Sequence, residues 1–473
     1  GDYWYSQGIN QLIFHTSAHQ PLDTKPGNTM VGIHFHRNIT WAEQAKPFID
    51  YLSRTQYLLQ EGRFIADIAY YLGEDIPAVV PYWEKLKNEA PEGFNYDFVN
   101  TEILNRFEVE NGELVLPSGM RYKVLVLPEK STMTLNVLAK IKELVKNGAT
   151  IIGPKPVKSP SLSGYPNVDN EVFLQANELW GGTDGQFIYQ NNFGKGKVFW
   201  NLPLKGILGA MNVEKDIDYT KPHTDTKLSW THRKTEDSDC YFLLNMRNQM
   251  EDLEVQFRIQ GKIPELWDAT NGTIIPLSYE INDNGITSVQ LHLEPQQSVF
   301  VVFQKEAKKN ELILTEKKEM LLGKLDSSWQ VHFPQESGVS NQVMMNKLIS
   351  WSNHEDDVVK YFSGTAIYTK DFEIKKEWIN SNQSIILDLG VVKDIAEVYV
   401  NDIKIGTLWN IPYHLDISKV IKKGKNRLEI KVTNQWDNHI SGEDKAVKEK
   451  SLNDNPIQLK ESGLIGPVVL KLK

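Results

Sequence analysis

The sequence predicts a multidomain protein with α/β segments in its first half and all-β segments in its second half, and three observations support this. The length of 473 residues exceeds what one hydrophobic core usually organises, so about three or four domains are expected. Strand and helix patterns alternate up to about residue 216, as they do in proteins with parallel sheets. Beyond that point, short β-rich segments are separated by turn residues, which indicates antiparallel sandwiches.

Residues 1–62 have the pattern of a (β/α) barrel unit. Residues 11–14 form a short apolar run, which predicts a buried strand, and a polar loop follows it. Thr40 can cap the next helix, in which apolar residues recur at helical spacing up to Tyr57. Such barrels carry their chemistry at the C-terminal ends of the strands, so we interpret residues 1–62 as the C-terminal remnant of a catalytic barrel. Gly1 looks like a cut, and we expect the chain to begin inside a longer protein.

Residues 63–215 read as a doubly wound α/β domain. The predicted strands are residues 65–72, 97–99, 123–127, 150–152 and 197–200, and the predicted helices are residues 80–87 and 134–146. The glycine-rich stretches at residues 181–182 and 194–196 fit neither a phosphate-binding loop nor a dinucleotide fingerprint. A nucleotide cofactor is therefore disfavoured.

The remainder of the chain is predicted to be all-β. Residues 216–304 form a small β-sandwich with strands at residues 241–245, 254–258, 264–267, 288–293 and 298–303. Residues 305–318 are polar and rich in lysine, and we interpret them as a connector at the start of a second β-rich domain, residues 305–473. The clearest strand there is residues 427–433, where Leu428, Ile430 and Val432 alternate with polar residues.

Composition excludes several classes of protein. The formal charge of -9 leaves no basic surface of the kind that binds a phosphate backbone, so nucleic acid is not expected as a partner. Cys240 is the single cysteine, which rules out an internal disulfide and a cysteine-based metal cluster. Because no run of about 18 apolar residues occurs, we expect no membrane span.

Two blocks near the start carry a family resemblance: GINQLIFHTSAHQP and HFHRNITWAEQAKPFIDYLSRTQYLLQEGRFIADIAYYLGED. In this order they resemble the end of the catalytic barrel in glycoside hydrolase family 106, the α-L-rhamnosidases. The α/β segment is similar to the amidotransferase-like domain that follows the barrel in several hydrolase families. The stretch from AIYTKDFEI to RLEIKVTNQW resembles the galactose-binding-like jelly roll known as the family 2 sugar-binding domain.

The resemblance implies part of a glycoside hydrolase, an inverting α-L-rhamnosidase that acts on polysaccharide side chains and is periplasmic or secreted. It also implies a barrel region upstream that carries the catalytic carboxylates and the residues that bind calcium at the sugar site. Within this chain, Glu43 lies in a predicted first helical turn and Asp23 in a solvated loop, so neither is an expected acid or base. We therefore predict no catalytic residue, metal or cofactor in this chain, inactivity of the chain alone, and a seam at its N-terminus that could self-associate.

Four of the eleven histidines lie within the first 36 residues, beside amide and aromatic side chains. Sugar hydroxyls require hydrogen-bonding partners, and sugar ring faces pack on aromatic surfaces. We predict a substrate-binding group that consists of His15, His19, Gln20, His34, His36, Asn38 and Trp41. The alternatives are ordinary loop and core histidines or, less favoured without a third ligand, a metal held by His34 and His36.

Two further interpretations of the whole chain stay open. It could be a non-catalytic carbohydrate-binding or scaffolding remnant, or it could belong to a different barrel glycosidase such as a β-galactosidase. In the jelly roll, Trp409, Tyr413 and Trp436 could stack on sugars, although a core role is favoured. The oxygen ligands Asp437, Glu443 and Asp444 are a weak calcium candidate, because their spacing matches no defined calcium loop.

Overall fold

The computed structural model describes residues 1–15, 17–21, 23, 25–27, 35–75, 77, 80, 89–315, 319–325, 327–334, 341–379, 383–448 and 459–473. These residues fall into two compact units. The first unit contains residues 1–10, 58–267 and 274–313. The second unit contains residues 11–57, 268–273 and 314–473.

Eight α-helices occur in the part of the chain that the structure describes. They are α1 (Asp2–Ser6), α2 (Lys46–Gln60), α3 (Thr101–Arg106), α4 (Leu135–Asn147), α5 (Val168–Trp180), α6 (Leu204–Ala210), α7 (Asp357–Lys360) and α8 (Asp437–Lys448). Two short 3₁₀ turns are Trp351–Asn353 and Lys376–Trp378. Within the described residues, no helix has the length and apolar character needed to cross a membrane.

The strands are numbered in chain order. The first ten are β1 (Arg63–Phe64), β2 (Ile68–Tyr71), β3 (Tyr96–Val99), β4 (Glu108–Glu110), β5 (Glu113–Val115), β6 (Arg121–Tyr122), β7 (Val124–Val126), β8 (Thr150–Ile152), β9 (Gln190–Phe193) and β10 (Gly196–Phe199). The next ten are β11 (Ile217–Tyr219), β12 (Leu228–Lys234), β13 (Asp239–Asn245), β14 (Glu251–Phe257), β15 (Lys262–Asp268), β16 (Thr273–Pro276), β17 (Tyr279–Ile281), β18 (Thr287–Leu293), β19 (Ser298–Glu306) and β20 (Glu311–Leu312). The last twelve are β21 (Met320–Lys324), β22 (Trp329–Phe333), β23 (Asn341–Met345), β24 (Thr365–Ile374), β25 (Ile385–Asp388), β26 (Val391–Lys393), β27 (Ile395–Val400), β28 (Ile403–Leu408), β29 (His414–Asp416), β30 (Gly424–Thr433), β31 (Gly463–Gly466) and β32 (Val469–Leu472).

The first unit begins with an α/β layer in which the sheet order is β3-β2-β7-β8-β10-β9. All neighbours are parallel except β9 and β10, which are antiparallel. Successive side chains of β2 pack on opposite faces: Ala69 joins the cluster that contains α4 and α5, and Ile68 joins the cluster that contains α6. The predicted parallel sheet with helices on both faces is therefore confirmed. The likeness to an amidotransferase domain stays a prediction, and residues 81–87 of the predicted helix at 80–87 lie outside the described residues.

The sandwich of the first unit has two sheets, in the orders β1-β12-β13-β19-β15-β16 and β11-β14-β18-β17-β20. Side chains from both sheets form one core, with Tyr241, Phe257 and Phe303 at its centre. All five strands predicted within residues 216–304 are present. The predicted connector at residues 305–318 is partly wrong, because β19 continues to Glu306 and β20 pairs with β17. In these strands the backbone groups of polar residues form hydrogen bonds with a neighbouring strand. Composition alone does not reveal such pairing.

The second unit contains the predicted jelly roll. A four-stranded sheet has the order β21-β32-β25-β29, and a six-stranded sheet has the order β23-β22-β24-β30-β27-β28. Their shared core contains Trp329, Trp351 and Tyr368, all fully buried. In β30, Leu428, Ile430 and Val432 are buried as the alternation predicts.

The predicted barrel strand at residues 11–14 is wrong. Residues 11–15 form neither helix nor strand, and the side chain of Ile13 is 86% exposed. A strand needs a neighbouring strand to satisfy its backbone, and here the Leu12 amide instead donates to the side-chain oxygen of Gln56 at 3.0 Å. The structure therefore does not confirm a barrel remnant in this chain.

The predicted helix start at Thr40 is also wrong. Residues 37–44 form successive turns, and α2 begins only at Lys46. Pro47 explains the delay, because its ring would clash with the carbonyl of Glu43 in an earlier helix and it fits only a first turn. The turns leave residues 37–44 as a loop, which we call the turn loop.

Candidate functional site

The structure places the predicted substrate-binding residues unevenly within the second unit. His15 and His19 are exposed, whereas Gln20 and His36 are partly buried. Asn38 is buried at 4% exposure. His34 lies outside the described residues. Their role in binding stays a prediction, but three of them lie close together.

Gln20 and Asn38 lie beside Gly27, and His36 contacts Asn38. The φ of +80° at Gly27 is a conformation that favours glycine, and a Cβ atom there would collide with Gln20 Oε1 and lie 2.7 Å from Asn38 Nδ2. The backbone amide of Asn38 donates a hydrogen bond to His36 Nδ1 at 3.1 Å. Glycine at position 27 therefore fits both the positive φ and the close approach of the Gln20 and Asn38 side chains.

Trp41 lies in a chain of packed aromatic rings. Its ring meets that of Phe35 edge-on at 5.2 Å and that of Phe48 at 6.0 Å. Phe48 and Tyr51 each lie 5.2 Å from the ring of Trp409 in the jelly roll. Because edge-to-face pairs of this kind stabilise a core, Trp41 and Trp409 act as packing residues here.

The other two jelly-roll aromatics differ from each other. Tyr413 is buried and its hydroxyl donates to the Asp394 carbonyl at 2.7 Å, which is a core role. Trp436 is only partly buried, and its Nε1 donates to the Asn38 carbonyl at 2.8 Å. Trp436 thus fixes the turn loop to the jelly roll at a residue pair 398 positions apart in sequence.

A cavity of about 770 Å³ lies between the turn loop and the jelly roll. This volume is within the roughly 300–1,000 Å³ of ligand pockets. Its lining residues are Lys25, Arg37, Asn38, Ile39, Thr40, Ala42, Glu43, Gln44, Pro334, Asp357, Val358, Tyr361, Phe362, Ser363, Gly364, Thr365, Trp436 and His439. We call this space the loop cavity.

Asn434 holds the jelly-roll wall of the loop cavity in place. Its Oδ1 accepts a hydrogen bond from the Gly364 amide at 2.9 Å, and its Nδ2 donates to the Phe362 carbonyl at 2.9 Å. The ring of Trp436 meets that of His439 edge-on at 5.5 Å. Sequence reasoning singled out Asn38 and Trp436 but missed Tyr361, Ser363 and His439, since nothing local to residues 361–365 signals a site.

Metal ligands are not grouped in the described part of the chain, where no set of three or more His, Cys, Asp or Glu side chains could hold an ion. Asp437 forms an ion pair with Lys460, and the side chains of Glu443 and Asp444 lie outside the described residues. Asp23 pairs with Arg37 at 2.7 Å on the surface.

A cluster of buried charged groups lies in the first unit. His232 is fully buried between Asp216, at 2.9 Å from its Nδ1, and Asp239, at 3.3 Å from its Nε2. Burial alone would lower the pKa of His232, but the two carboxylates raise it above its usual range. Tyr241 donates to Asp216 at 2.8 Å, and Arg258 contacts both oxygens of Asp67 at 3.1 Å.

These groups form what we call the Asp–His network. The one sequence signal for it is an acidic residue directly before an apolar run, as with Asp239 at the start of β13, whereas His232 lies in the mixed strand β12 and gives no such signal. Every carboxylate in it has a cationic partner, so its chemistry is that of a structural ion-pair cluster.

Two family models match the chain. The model described as alpha-L-rhamnosidase, glycoside hydrolase family 106, matches residues 1–281. The model described as the glycosyl hydrolase 2 galactose-binding domain-like family matches residues 323–462. The first match covers the α/β layer and the sandwich up to β17, and the second covers the jelly roll up to β30 and α8.

Two relatives extend the comparison. A protein of Formosa agariphila named a putative beta-glucuronidase is 26% identical and aligns with 94% of this chain and 56% of its own length. The structure of a rhamnosidase from Novosphingobium sp. PP1Y has a TM-score of 0.89 and 35% identity, and it covers all of this chain but only 45% of its own. The chain thus spans about half the length of the relatives that it matches.

Proposed function

Because the chain belongs to glycoside hydrolase family 106, the α-L-rhamnosidases, we propose that the protein containing it hydrolyses α-L-rhamnosides. The observation that carries this proposal is the likeness of the entire chain to a rhamnosidase at a TM-score of 0.89. The galactose-binding-like domain supports a carbohydrate substrate. Rhamnose-bearing side chains of a polysaccharide, met in the periplasm or outside the cell, are the proposed natural substrate.

The proposed reaction is hydrolysis with inversion, which uses one carboxylic acid on the leaving oxygen and one carboxylate on a water molecule. We assign both groups to parts of the protein beyond this chain. The role of this chain is then to position the substrate through side chains such as His15 and His19. We also assign the ligands of calcium at the sugar site to parts of the protein beyond this chain.

The test compares the complete reading frame with the 473-residue chain on aryl α-L-rhamnoside and aryl β-glucuronide. We expect the complete protein to release the aryl group from the rhamnoside and to give a β-configured product that NMR detects before mutarotation. We expect the chain alone to be inactive, because positioning residues cannot transfer protons.

The glucuronide is tested because the Formosa agariphila relative is named a beta-glucuronidase. Turnover of the glucuronide alone would replace the proposed substrate class. An inactive complete protein that still binds polysaccharide would favour a scaffolding role. Turnover by the isolated chain that depends on one of its own carboxylates would refute the placement of the acid and base.

A further inference from the structure

We propose that another cavity, within the first unit, binds an organic anion of about the size of a sugar that carries a carboxylate or sulfate group. The cavity has a volume of about 840 Å³ and lies between the starts of the parallel strands β2, β7, β8 and β10 and the sandwich strands β12 and β13. Arg63, Lys195 and Lys197 line it, and we call it the basic cavity. The proposal does not depend on the proposed hydrolysis of rhamnosides.

The first argument is a local excess of positive charge. Seven lysine and arginine side chains line the basic cavity, against five aspartate and glutamate side chains. The excess is two positive charges, and it is three when the ring of His232 is protonated. Because the whole chain has a formal charge of -9, this excess is confined to the cavity. A cleft with an excess of one sign of charge raises the local concentration of ligands of the opposite sign.

The second argument is that pairing within the protein uses only part of this charge. The Asp–His network at the sandwich wall is paired internally, and Glu113 contacts both Arg121 and Lys123. Lys195 and Lys197 are exposed, and neither has an acidic partner within the described residues. The hydrogen-bonding capacity of these two ammonium groups is therefore available to a ligand.

The third argument is that cations stand next to each other at the cavity wall. Arg63 in β1 lies directly opposite Lys234 in β12, and like charges at such positions destabilise a sheet. Lys234 is 3.3 Å from Asp239, whereas the guanidinium of Arg63 contacts only the Ser118 carbonyl, at 3.5 Å, among the described residues. Glu214 is the one described carboxylate of the lining without an ion pair, so it can offset at most one cation. A bound anion would reduce the remaining repulsion.

The size and the walls of the basic cavity favour an organic molecule over a small inorganic ion. Its volume is within the roughly 300–1,000 Å³ of ligand pockets. Met120, Met211 and Ile259 add apolar surface to the lining. Carboxylate and sulfate groups both offer oxygen acceptors to lysine and arginine, and the carbon skeleton of the ligand would pack on the apolar part.

Saturation-transfer NMR titrations of the 473-residue chain test the proposal with D-glucuronate, D-glucose 6-sulfate and the uncharged methyl β-D-glucopyranoside. We expect signals from the two acidic sugars and none from the uncharged one. Raising the ionic strength from about 0.01 M to about 0.1 M shortens the screening length from about 30 Å to about 10 Å, so it should weaken binding severalfold. A preference between the two acidic sugars would identify the anionic group and support the site.

Substitutions locate the binding. Lys195→Gln and Lys197→Gln should each weaken binding roughly threefold, which is the order of one exposed charge pair, and the double substitution roughly tenfold. The matched control is Lys205→Gln, which makes the same change at an exposed lysine of the same unit outside the cavity and should leave binding unchanged. The urea midpoint of each variant separates lost binding from lost folding.

Four outcomes would overturn the proposal: no binding of either acidic sugar, equal binding of the uncharged sugar, unchanged affinity in the double variant, or an equal loss with Lys205→Gln. Hydrolysis of rhamnosides by the complete protein is measured separately. Failure of the basic cavity would therefore leave the proposed activity standing, and the reverse also holds.

Discussion

The Asp–His network of the first unit and the turn loop of the second unit both bury polar side chains, but they satisfy them differently. Asp216 and Asp239 contact both ring nitrogens of His232, and further hydrogen bonds from Tyr241 complete the set. In the turn loop, Asn38, Thr40 and Gln44 each leave a buried polar atom without a partner in the described structure. The network is a structural ion-pair cluster, whereas the turn loop keeps hydrogen-bonding capacity that the described structure does not use.

Burial alone therefore does not separate structural from functional polar residues. The two places differ in whether the hydrogen-bonding capacity of the buried groups is used within the protein, and an unused buried group costs stability. This criterion can be tested by substitutions in both places, and the expected effects differ severalfold.

The largest effect is expected for Asp216→Asn. Removing this carboxylate leaves the buried His232 and Arg258 with one anionic partner fewer, and breaking a buried pair costs about 3–5 kcal/mol. Urea unfolding, followed by hydrogen exchange of β12 and β13, measures the loss. The matched control is Asp252→Asn, which removes an exposed carboxylate 2.7 Å from His292 in the same sandwich and should change little. Equal losses of stability for the two substitutions would contradict the structural role of the Asp–His network.

The next largest expected effect is a dependence of the stability on pH, which His232 causes. The Asp216 and Asp239 carboxylates raise its pKa above 6.5 against the opposing effect of burial. A raised pKa means that its contribution to stability is complete below pH 6.5 and is lost as the pH rises through the folded-state value. The urea midpoint of the first unit should fall over this range in the native chain. His232→Gln should lower the midpoint at acidic pH and remove this part of the slope, and an unchanged slope would refute the assignment.

A smaller effect is expected for Trp436→Phe. The substitution keeps an aromatic ring but removes the hydrogen bond to the Asn38 carbonyl, which is worth about 1 kcal/mol. Unfolding of the second unit by urea should detect it. Trp378→Phe makes the same chemical change in the same unit, away from the turn loop, and serves as the control.

The smallest effect on stability is expected for Asn38→Ala, within about 0.5 kcal/mol, because its Nδ2 group has no bond to lose. Asn434 provides the contrast, since it is buried to the same 4% exposure but both of its amide atoms are bonded. Asn434→Ala should cost about 1–3 kcal/mol on the same urea scale. Similar losses of stability for Asn38→Ala and Asn434→Ala would show that the missing hydrogen bond at Asn38 Nδ2 does not distinguish the two residues.

Local sequence patterns determined much of this protein. The five predicted strands of the sandwich, the parallel sheet and helix α4 follow from periodicities of two and 3.6 residues, since each periodic apolar face must be buried. The Thr134 side chain caps α4, as its position before the apolar run predicts. The family was also recognisable from the sequence, and the family models match residues 1–281 and 323–462.

Tertiary structure decided the rest. The apolar residues 11–14 do not form a strand, because a strand exists only where a neighbour offers hydrogen bonds. The loop cavity joins residues 37–44 to residues 357–365 and 436–439, and no local pattern records which distant segments will meet. Sequence reasoning could name Asn38 and Trp436 separately as candidates, but only the fold brings the Asn38 carbonyl and the Trp436 Nε1 to 2.8 Å. Side-chain chemistry is local, whereas satisfaction of a hydrogen bond depends on what the folded chain places opposite it.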